Sequence, residues 1–478
     1  MSLTILGLGP GDAEDITRRA WRILHSAPVL LLRTAHHPLV EALERDDYTA
    51  FDAFYNRAPD FETLYKDIAK TVWERAQAED IVYAVPGHPL VGESTVGHLL
   101  ALAGDTPVTI VDGLSFIEPA LSMLGVDGMA GLQVYDALDI ASAHHPPLNP
   151  DTPALLGQVY NRDVAAHVKL TLMNGYPDEH PVTLLHTAGT AAAIREDLPL
   201  YAIDRSEHIA HLSALYVPPL PVASSFARFQ ETIAHLRAPE GCPWDREQTH
   251  QSLRPYLLEE TYEVLEALDN DDPAALREEL GDLLLQVVLH SQIATEDGTF
   301  SMANIIATVN HKIIHRHPHV WGTAEVNTTD DLKRVWEAQK QAEKANAPPA
   351  SILGDTPPGL PALMQAYKYQ KKAARVGFDW ETVEPVIAKV FEEIEEVRAA
   401  ATPADQAAEM GDVLFALVNW ARWLGIDPET ALRETNARFR QRFTYIENRL
   451  AETGRALDDV DLSELDALWE AAKAALKP

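Results

Sequence analysis

Apolar positions fall in short unbroken runs over the first 215 residues and at helical spacing over most of the rest. "LTILGLG", "PVLLL", "DIVYAVPG", "PVTIVDG" and "PVTLLHTAG" are apolar runs bordered by Gly or Pro, the pattern of strands buried on both faces. Between them, "DITRRAWRILHSA" and "TLYKDIAKTVWERAQAE" return to apolar residues every three or four positions, as amphipathic helices do. This alternation predicts an α/β domain with a largely parallel sheet over 1–215. "YVPPLPVASS" (216–225) reads as a linker, and the helical period takes over from 226. A second Pro/Gly-rich break, "NAPPASILGDTPPGLPA" (346–362), divides the helical half into domains at 226–345 and 363–478.

Within the helical half one pattern occurs twice. "EETYEVLEALDNDDPAALREELGD" (259–282) holds ten acidic residues and one basic one, and "EEIEEVRAAATPADQAAEMGD" (392–412) repeats its plan. Each unit is E-x-x-E, a turn, then E-x-G-D. Glu260, Glu263, Glu279 and Asp282 match Glu393, Glu396, Glu409 and Asp412. The units differ in length by three residues, a difference expected in the turn. Asp272-Pro273 and Thr402-Pro403 place an N-cap residue before proline at the first helical position.

Folded as antiparallel hairpins, the units are symmetric. Glu263 with Glu279, and Glu260 with Asp282, are both centred on residue 271, and the second unit is centred between 402 and 403. Residues three apart share a helix face, so four carboxylates meet at one level of each hairpin. Such groups repel unless protonated or bound to cations, and hard divalent cations, above all Mg2+, take oxygen ligands. A di-iron centre needs two Glu-x-x-His motifs, and only Glu247-x-x-His250 fits. Leu257, Leu265, Leu268, Leu280, Leu283, Leu284 and Val287 are expected to give the first hairpin its core face. The glycine in E-x-G-D costs about 1 kcal/mol of helix stability relative to alanine, a cost expected to permit close helix approach.

Charge and composition narrow the function. The formal net charge of -33 argues against non-specific binding to nucleic acid or anionic membranes. A single cysteine, Cys242, excludes an intrachain disulfide and a cysteine zinc cluster. "HKIIHRHPHVWG" invites a zinc reading through His311, His315, His317 and His319, but Pro318 interrupts any regular ligand face. No apolar run reaches membrane-helix length and the N-terminus lacks a secretory pattern, so a cytoplasmic location is expected.

These residues resemble a known family. E-x-x-E followed by E-x-x-D on paired helices is the signature of MazG-type nucleoside triphosphate pyrophosphohydrolases. "GCPWDREQTHQSLRPYLLEETYEVLEAL", "LREELGDLLLQVVLHSQIA", "HRHPHVWG", "LPALMQAYKYQKKAARVGFDW" and "AEMGDVLFALVNWARWLG" resemble MazG segments in MazG order. The resemblance implies cleavage of a nucleoside triphosphate between its α and β phosphates, with Mg2+ held by the carboxylates. The second hairpin is the preferred catalytic site, through Glu393, Glu396, Glu409 and Asp412. Lys368, Lys371, Lys372 and Arg375 lie along the helix before it as phosphate clamps. Trp380 offers a stacking surface, and Asn419 follows Asp412 by two helical turns, where the first unit has Leu289. The first hairpin keeps all four carboxylates and stays open as a second metal site. Exposed apolar faces on two-helix units point to a homodimer through these helices.

The N-terminal half carries a second resemblance. "LTILGLGPGDAEDITRRA", "VYAVPGHPLVGEST" and "IVDGLSFIEPAL" resemble the tetrapyrrole (corrin/porphyrin) methylases, and the whole arrangement is similar to the YabN-like fusion of such a domain to MazG. The resemblance implies an S-adenosylmethionine cleft lined by Gly7, Gly9, Pro10, Gly11, Pro86, Gly87, Asp112, Gly113, Ser115, Thr187 and Ala188. The family's P-G-D-P is here Pro86-Gly87-His88-Pro89, a departure that puts methyl transfer in doubt. The alternative function is a methyltransferase whose MazG portion is regulatory or degenerate.

Overall fold

The computed structural model describes residues 2–476 apart from 56, 58, 59, 327, 345–350 and 355. Part of the break read at 346–362, namely 346–350 and 355, therefore lies outside the described residues. The chain forms two compact units, Met1–Glu247 and Gln248–Pro478.

The first unit contains two five-stranded sheets. In the first, β1 (Leu3–Gly7), β2 (Leu30–Leu32), β3 (Tyr48–Ala50), β4 (Ile81–Val85) and β5 (Val108–Val111) run in the order β3-β2-β4-β1-β5. Every pairing is parallel. Helices cover both faces, so alternate residues of one strand enter two different cores. Ile81, Tyr83 and Val85 pack on one side of β4, and Val82 and Ala84 on the other.

The second sheet differs from the expected parallel arrangement. β6 (Gln133–Asp136), β7 (Ala154–Gly157), β8 (Pro181–His186), β9 (Ile194–Pro199) and β10 (Ser213–Val217) follow the order β6-β7-β10-β8-β9. Only β6 and β7 pair in parallel. β10 takes in Tyr216 and Val217, where the sequence predicts the start of a linker, because Leu215 and Val217 are fully buried in the sheet. The rest of that segment is tethered as well. Asp151 accepts hydrogen bonds from the backbone of Ser224 and Ser225 and from Ser225 Oγ, and Ser225 caps the helix Phe226–Arg237.

The second unit is helical. Arg254–Asp269 and Pro273–Glu296 form the first hairpin, and Val383–Ala399 and Pro403–Trp423 the second. Ala362–Arg375 packs on the second helix of the second hairpin. Pro428–Glu452 reaches the first hairpin through Arg433–Asp269 (2.6 Å) and Arg440–Glu266 (2.9 Å). Asp272 and Thr402 cap their helices as the sequence predicts.

Three expectations need correction. Both turns are three residues long (270–272 and 400–402), so the length difference is not in the turn. The first helix runs six residues past Glu263 to Asp269, whereas its counterpart runs three past Glu396 to Ala399, leaving most of one extra helical turn. The glycines do not permit close approach within the chain: a Cβ on Gly281 or Gly411 would meet no atom outside its own helix within 4 Å. The leucine face is only partly a core face, since Leu257, Leu265 and Leu283 are half-buried. Leu268, Leu280, Leu284 and Val287 are exposed, and Ala267, Val288, Leu289 and Ile293 are buried instead.

Candidate functional site

In the second hairpin, Glu393, Glu396 and Glu409 each place a carboxylate oxygen within 4.8 Å of the others. Glu393 is 6 % exposed and bonds to Lys389 Nζ at 2.6 Å, one helical turn earlier. Lys389 also pairs with Glu392 at 2.8 Å. The Lys389 ammonium holds the Glu393 carboxyl below its usual range. The hydrogen bond with Glu393 pushes Glu396 the other way. One carboxylate of the pair is thus kept anionic while its neighbour tends to keep a proton. A bound divalent cation removes the reason for that proton.

A cavity of ≈ 400 Å³ reaches this cluster at Glu393, while Glu396 and Glu409 do not line it. Its wall includes Glu393 and Asp412 with Lys389, the aromatic Phe378, Trp380 and Phe415, and the polar Gln370, Asn419, Arg422 and Asp379. Asn419 is 7 % exposed and shares the cavity with Asp412, two turns away on one helix face. Gln370 donates from Nε2 to the Phe415 carbonyl at 2.8 Å, while its Oε1 is buried without a partner.

The helix Ala362–Arg375 turns Tyr369, Gln370 and Ala373 to the cavity rather than its basic face. Lys368, Lys371, Lys372 and Arg375 are not among the lining residues. Lys372 bonds to Thr356 Oγ1 at 2.7 Å, and Lys371 stands 5.9 Å from the Tyr367 ring centroid. Sequence reasoning passed over Lys389, Gln370, Asp379 and Arg422. Lys389 had a signal: it precedes Glu393 by four, where the first repeat has Tyr256 before Glu260.

The first hairpin brings Glu260, Glu263 and Glu279 within 4.8 Å of one another. Desolvation, then the charges of Asp282 and Glu263, raise the Glu260 pKa; desolvation, then Glu263, raises that of Glu279. Asp282 is therefore close enough to be felt. Glu393 has a lysine neighbour, whereas the first repeat carries Tyr256 at that position. His250 faces His290 at 2.8 Å between their Nδ1 atoms.

In the first unit the glycine turns meet at the C-terminal ends of β4, β1 and β5. A Cβ on Gly7 would lie 2.4 Å from Gly87 O and 2.8 Å from Gly113 N. Gly9 and Gly87 exchange backbone hydrogen bonds at positive φ, a conformation open to glycine. Asp12 N–H donates to Gly189 O, drawing the loop after Gly11 toward Thr187 and Ala188, and Thr187 itself sits at φ 48. Ser115 is buried and donates to Glu118. His88 lies 3.8 Å from Asp112, so the departing residue faces another residue assigned to the cleft. Pro10 and Pro86 border a cavity of ≈ 670 Å³ with His36, His37 and Asp52. Open sheets bind ligands at this edge, and the packed glycines bring bare backbone to the cleft.

Comparison with known proteins agrees with both halves. Family models match residues 2–204 as tetrapyrrole (corrin/porphyrin) methylases, 248–321 as a MazG nucleotide pyrophosphohydrolase domain, and 360–439 as phosphoribosyl-ATP pyrophosphohydrolase. The chain is 41% identical to the uncharacterized protein YabN of Bacillus subtilis, over 98% of each chain. It is 44% identical to the nucleoside triphosphate pyrophosphohydrolase/pyrophosphatase MazG of Thermotoga maritima, over 51% of this chain and 95% of that one. It is 46% identical to the nucleoside triphosphate pyrophosphohydrolase of Escherichia coli K12, over 52% and 96%. With its carboxylate hairpins and its sheet domain both matched in order, the chain belongs to the MazG-type nucleoside triphosphate pyrophosphohydrolase family, joined here to an N-terminal tetrapyrrole methylase domain.

Proposed function

We propose that the chain hydrolyses nucleoside triphosphates to nucleoside monophosphate and pyrophosphate at the second hairpin, with Mg2+ as the cation. The observation that carries this reading is the ≈ 400 Å³ cavity whose wall combines Glu393 and Asp412 with Phe378, Trp380 and Asn419. Hard oxygen donors and an aromatic seat in one concavity suit a metal-bound triphosphate carrying a base. The names of the MazG relatives support it, and both hairpins fall within pyrophosphohydrolase family models.

Glu393, Glu396, Glu409 and Asp412 would hold Mg2+. Their donor set is all carboxylate oxygen, which fits a hard cation. When bound, Mg2+ neutralises phosphate oxygens and lowers the pKa of a coordinated water. The chain's own groups supply the rest. Lys389 keeps Glu393 anionic and adds a positive charge to an otherwise acidic wall. A carboxylate of the cluster accepts the proton of the water that attacks the α-phosphorus. The bond to the β-phosphate breaks and pyrophosphate leaves. Trp380 and Phe378 cover the base. Lys368, Lys371, Lys372 and Arg375 act from outside the cavity wall on the triphosphate tail. The first hairpin, with Glu260, Glu263, Glu279 and Asp282, is a second cation site.

Product identification tests the reading: each NTP with Mg2+ should give monophosphate and pyrophosphate. Diphosphate with orthophosphate, or no turnover, contradicts it. We further propose that the chain pairs with a second copy through the outward apolar faces of its hairpins and works in the cytoplasm.

The packed Gly7, Gly87 and Gly113 favour a second reading, an S-adenosylmethionine-dependent methyltransferase with the MazG portion regulatory. S-adenosylmethionine would lie against Gly7, Gly9, Pro10, Gly11, Pro86, Gly87, Asp112, Gly113, Ser115, Thr187 and Ala188. Calorimetric titration of the full chain should show saturable heat; none contradicts a live cofactor site.

A further inference from the structure

The Asn419 amide has a fixed polarity. Its Oδ1 accepts from Arg422 Nε at 2.9 Å. Arginine only donates, so the reversed amide would set two donors face to face. Arg422 is itself held: its second terminal nitrogen lies 2.7 Å from Asp379 Oδ1, which also accepts from Trp423 Nε1 at 3.2 Å and from the Trp380 backbone N–H at 2.9 Å. Asn419 Nδ2 has no hydrogen-bond partner among the described residues and stands as a donor in a cavity-lining side chain.

Gln370 has the opposite polarity. Its Nε2 is spent on the Phe415 carbonyl, and reversal would oppose two oxygens, so its buried Oε1 remains an acceptor without a partner. That atom is buried, in a side chain that lines the cavity. An ionised phosphate only accepts and cannot satisfy Gln370. A nucleobase edge carries donor and acceptor side by side, and its flat faces match Phe378, Trp380 and Phe415.

We propose that Asn419 Nδ2 and Gln370 Oε1 read the base edge of the nucleoside triphosphate, and that Arg422 and Asp379 are positioning residues that lock the Asn419 amide. The inference rests on the reading of the second hairpin as the triphosphate site. It extends that reading from where the phosphates are cleaved to how the base is chosen.

The test is equilibrium binding of the full chain to the four α,β-methylene nucleoside triphosphates, their 2′-deoxy forms and inorganic tripolyphosphate, all with Mg2+. Asn419→Leu installs the residue of the first repeat. It should flatten the ratio of Kd values among bases by about tenfold, the worth of one hydrogen bond. Asp379→Asn and Arg422→Gln should flatten it in the same direction and, with the natural triphosphates as substrates, raise KM more than they lower kcat. Arg422→Lys, which keeps a donor for Asn419 Oδ1, should restore part of the preference. Unchanged base ratios in Asn419→Leu overturn the proposal. So does a uniform loss that includes tripolyphosphate, which would make Asn419 a phosphate contact. A change confined to the ribose-to-deoxyribose ratio also overturns it. If base ratios respond while no triphosphate is hydrolysed, base reading stands and the hydrolytic reading falls. If no nucleotide binds at all, both fall.

Discussion

At the scale of single residues, Lys389 and the Glu393–Glu396 pair set the electrostatics of the site. Lys389 lowers the pKa of Glu393, and Glu393 raises that of Glu396. Removing the ammonium as Lys389→Met should let Glu393 take up a proton at higher pH. Because a cation ligand must be deprotonated, the acidic limb of the rate-pH profile should move upward, with more activity lost at pH 6 than at pH 8. An unmoved limb with uniformly lower activity would give Lys389 no hold on Glu393. The carboxylates were legible because their spacing is symmetric in both repeats, and Asn419 because it continues the Asp412 face. Gln370, Asp379 and Arg422 were not. Their roles come from a contact between helices far apart in sequence and from a loop, Gly377–Trp380, whose path has no period to read. The basic residues of Ala362–Arg375 show the converse, since a shared helix face is legible but the direction it faces is decided by packing.

At the scale of elements, the two hairpins share a plan and differ in balance. Glu260 and Glu279 have raised pKa values, and the first repeat carries Tyr256 where the second has Lys389. A carboxyl raised on folding stabilises the fold below its unfolded pKa and loses that contribution as pH rises through the folded value. Without metal, the first hairpin should therefore lose stability as pH rises above the ordinary carboxylate range, and Mg2+ should restore it. Thermal midpoints in EDTA and in Mg2+ at pH 5 and pH 8 measure this. The Glu260→Gln, Glu279→Gln variant should lose part of the Mg2+ shift at pH 8, and an undiminished shift would leave this hairpin without a cation.

The helix glycines make a separate prediction. Nothing crowds a Cβ at Gly281 or Gly411, so Gly281→Ala should stabilise the chain by about 1 kcal/mol. A lower midpoint would mean that a second copy fills that space. Element type was legible in both halves, and β1, β2, β4, β5 and β8 were read from their apolar runs. β9 was not, because "IREDLP" is a half-exposed edge strand with charged residues. β10 was masked by the prolines that follow Val217.

At the scale of the whole molecule, one chain joins a tetrapyrrole methylase domain to MazG-type hairpins. Among the described residues no helix is long and apolar enough to cross a membrane. The exposed Leu268, Leu280, Leu284, Phe391, Met410 and Leu414 leave each hairpin with an uncovered apolar face besides its buried one. Sedimentation should find a dimer, and Leu280→Glu with Leu284→Glu should shift it toward monomer if these faces meet; a dimer indifferent to both charges would place the interface elsewhere. The division of labour between the hairpins is read from pyrophosphate release, with NTP and Mg2+, in two paired variants. Glu409→Gln with Asp412→Asn should lower kcat by roughly a hundredfold or more, the scale of losing transition-state charge stabilisation, while Glu279→Gln with Asp282→Asn keeps most of the turnover. Full activity in the first variant and loss in the second would contradict the account and move the reaction to the first hairpin.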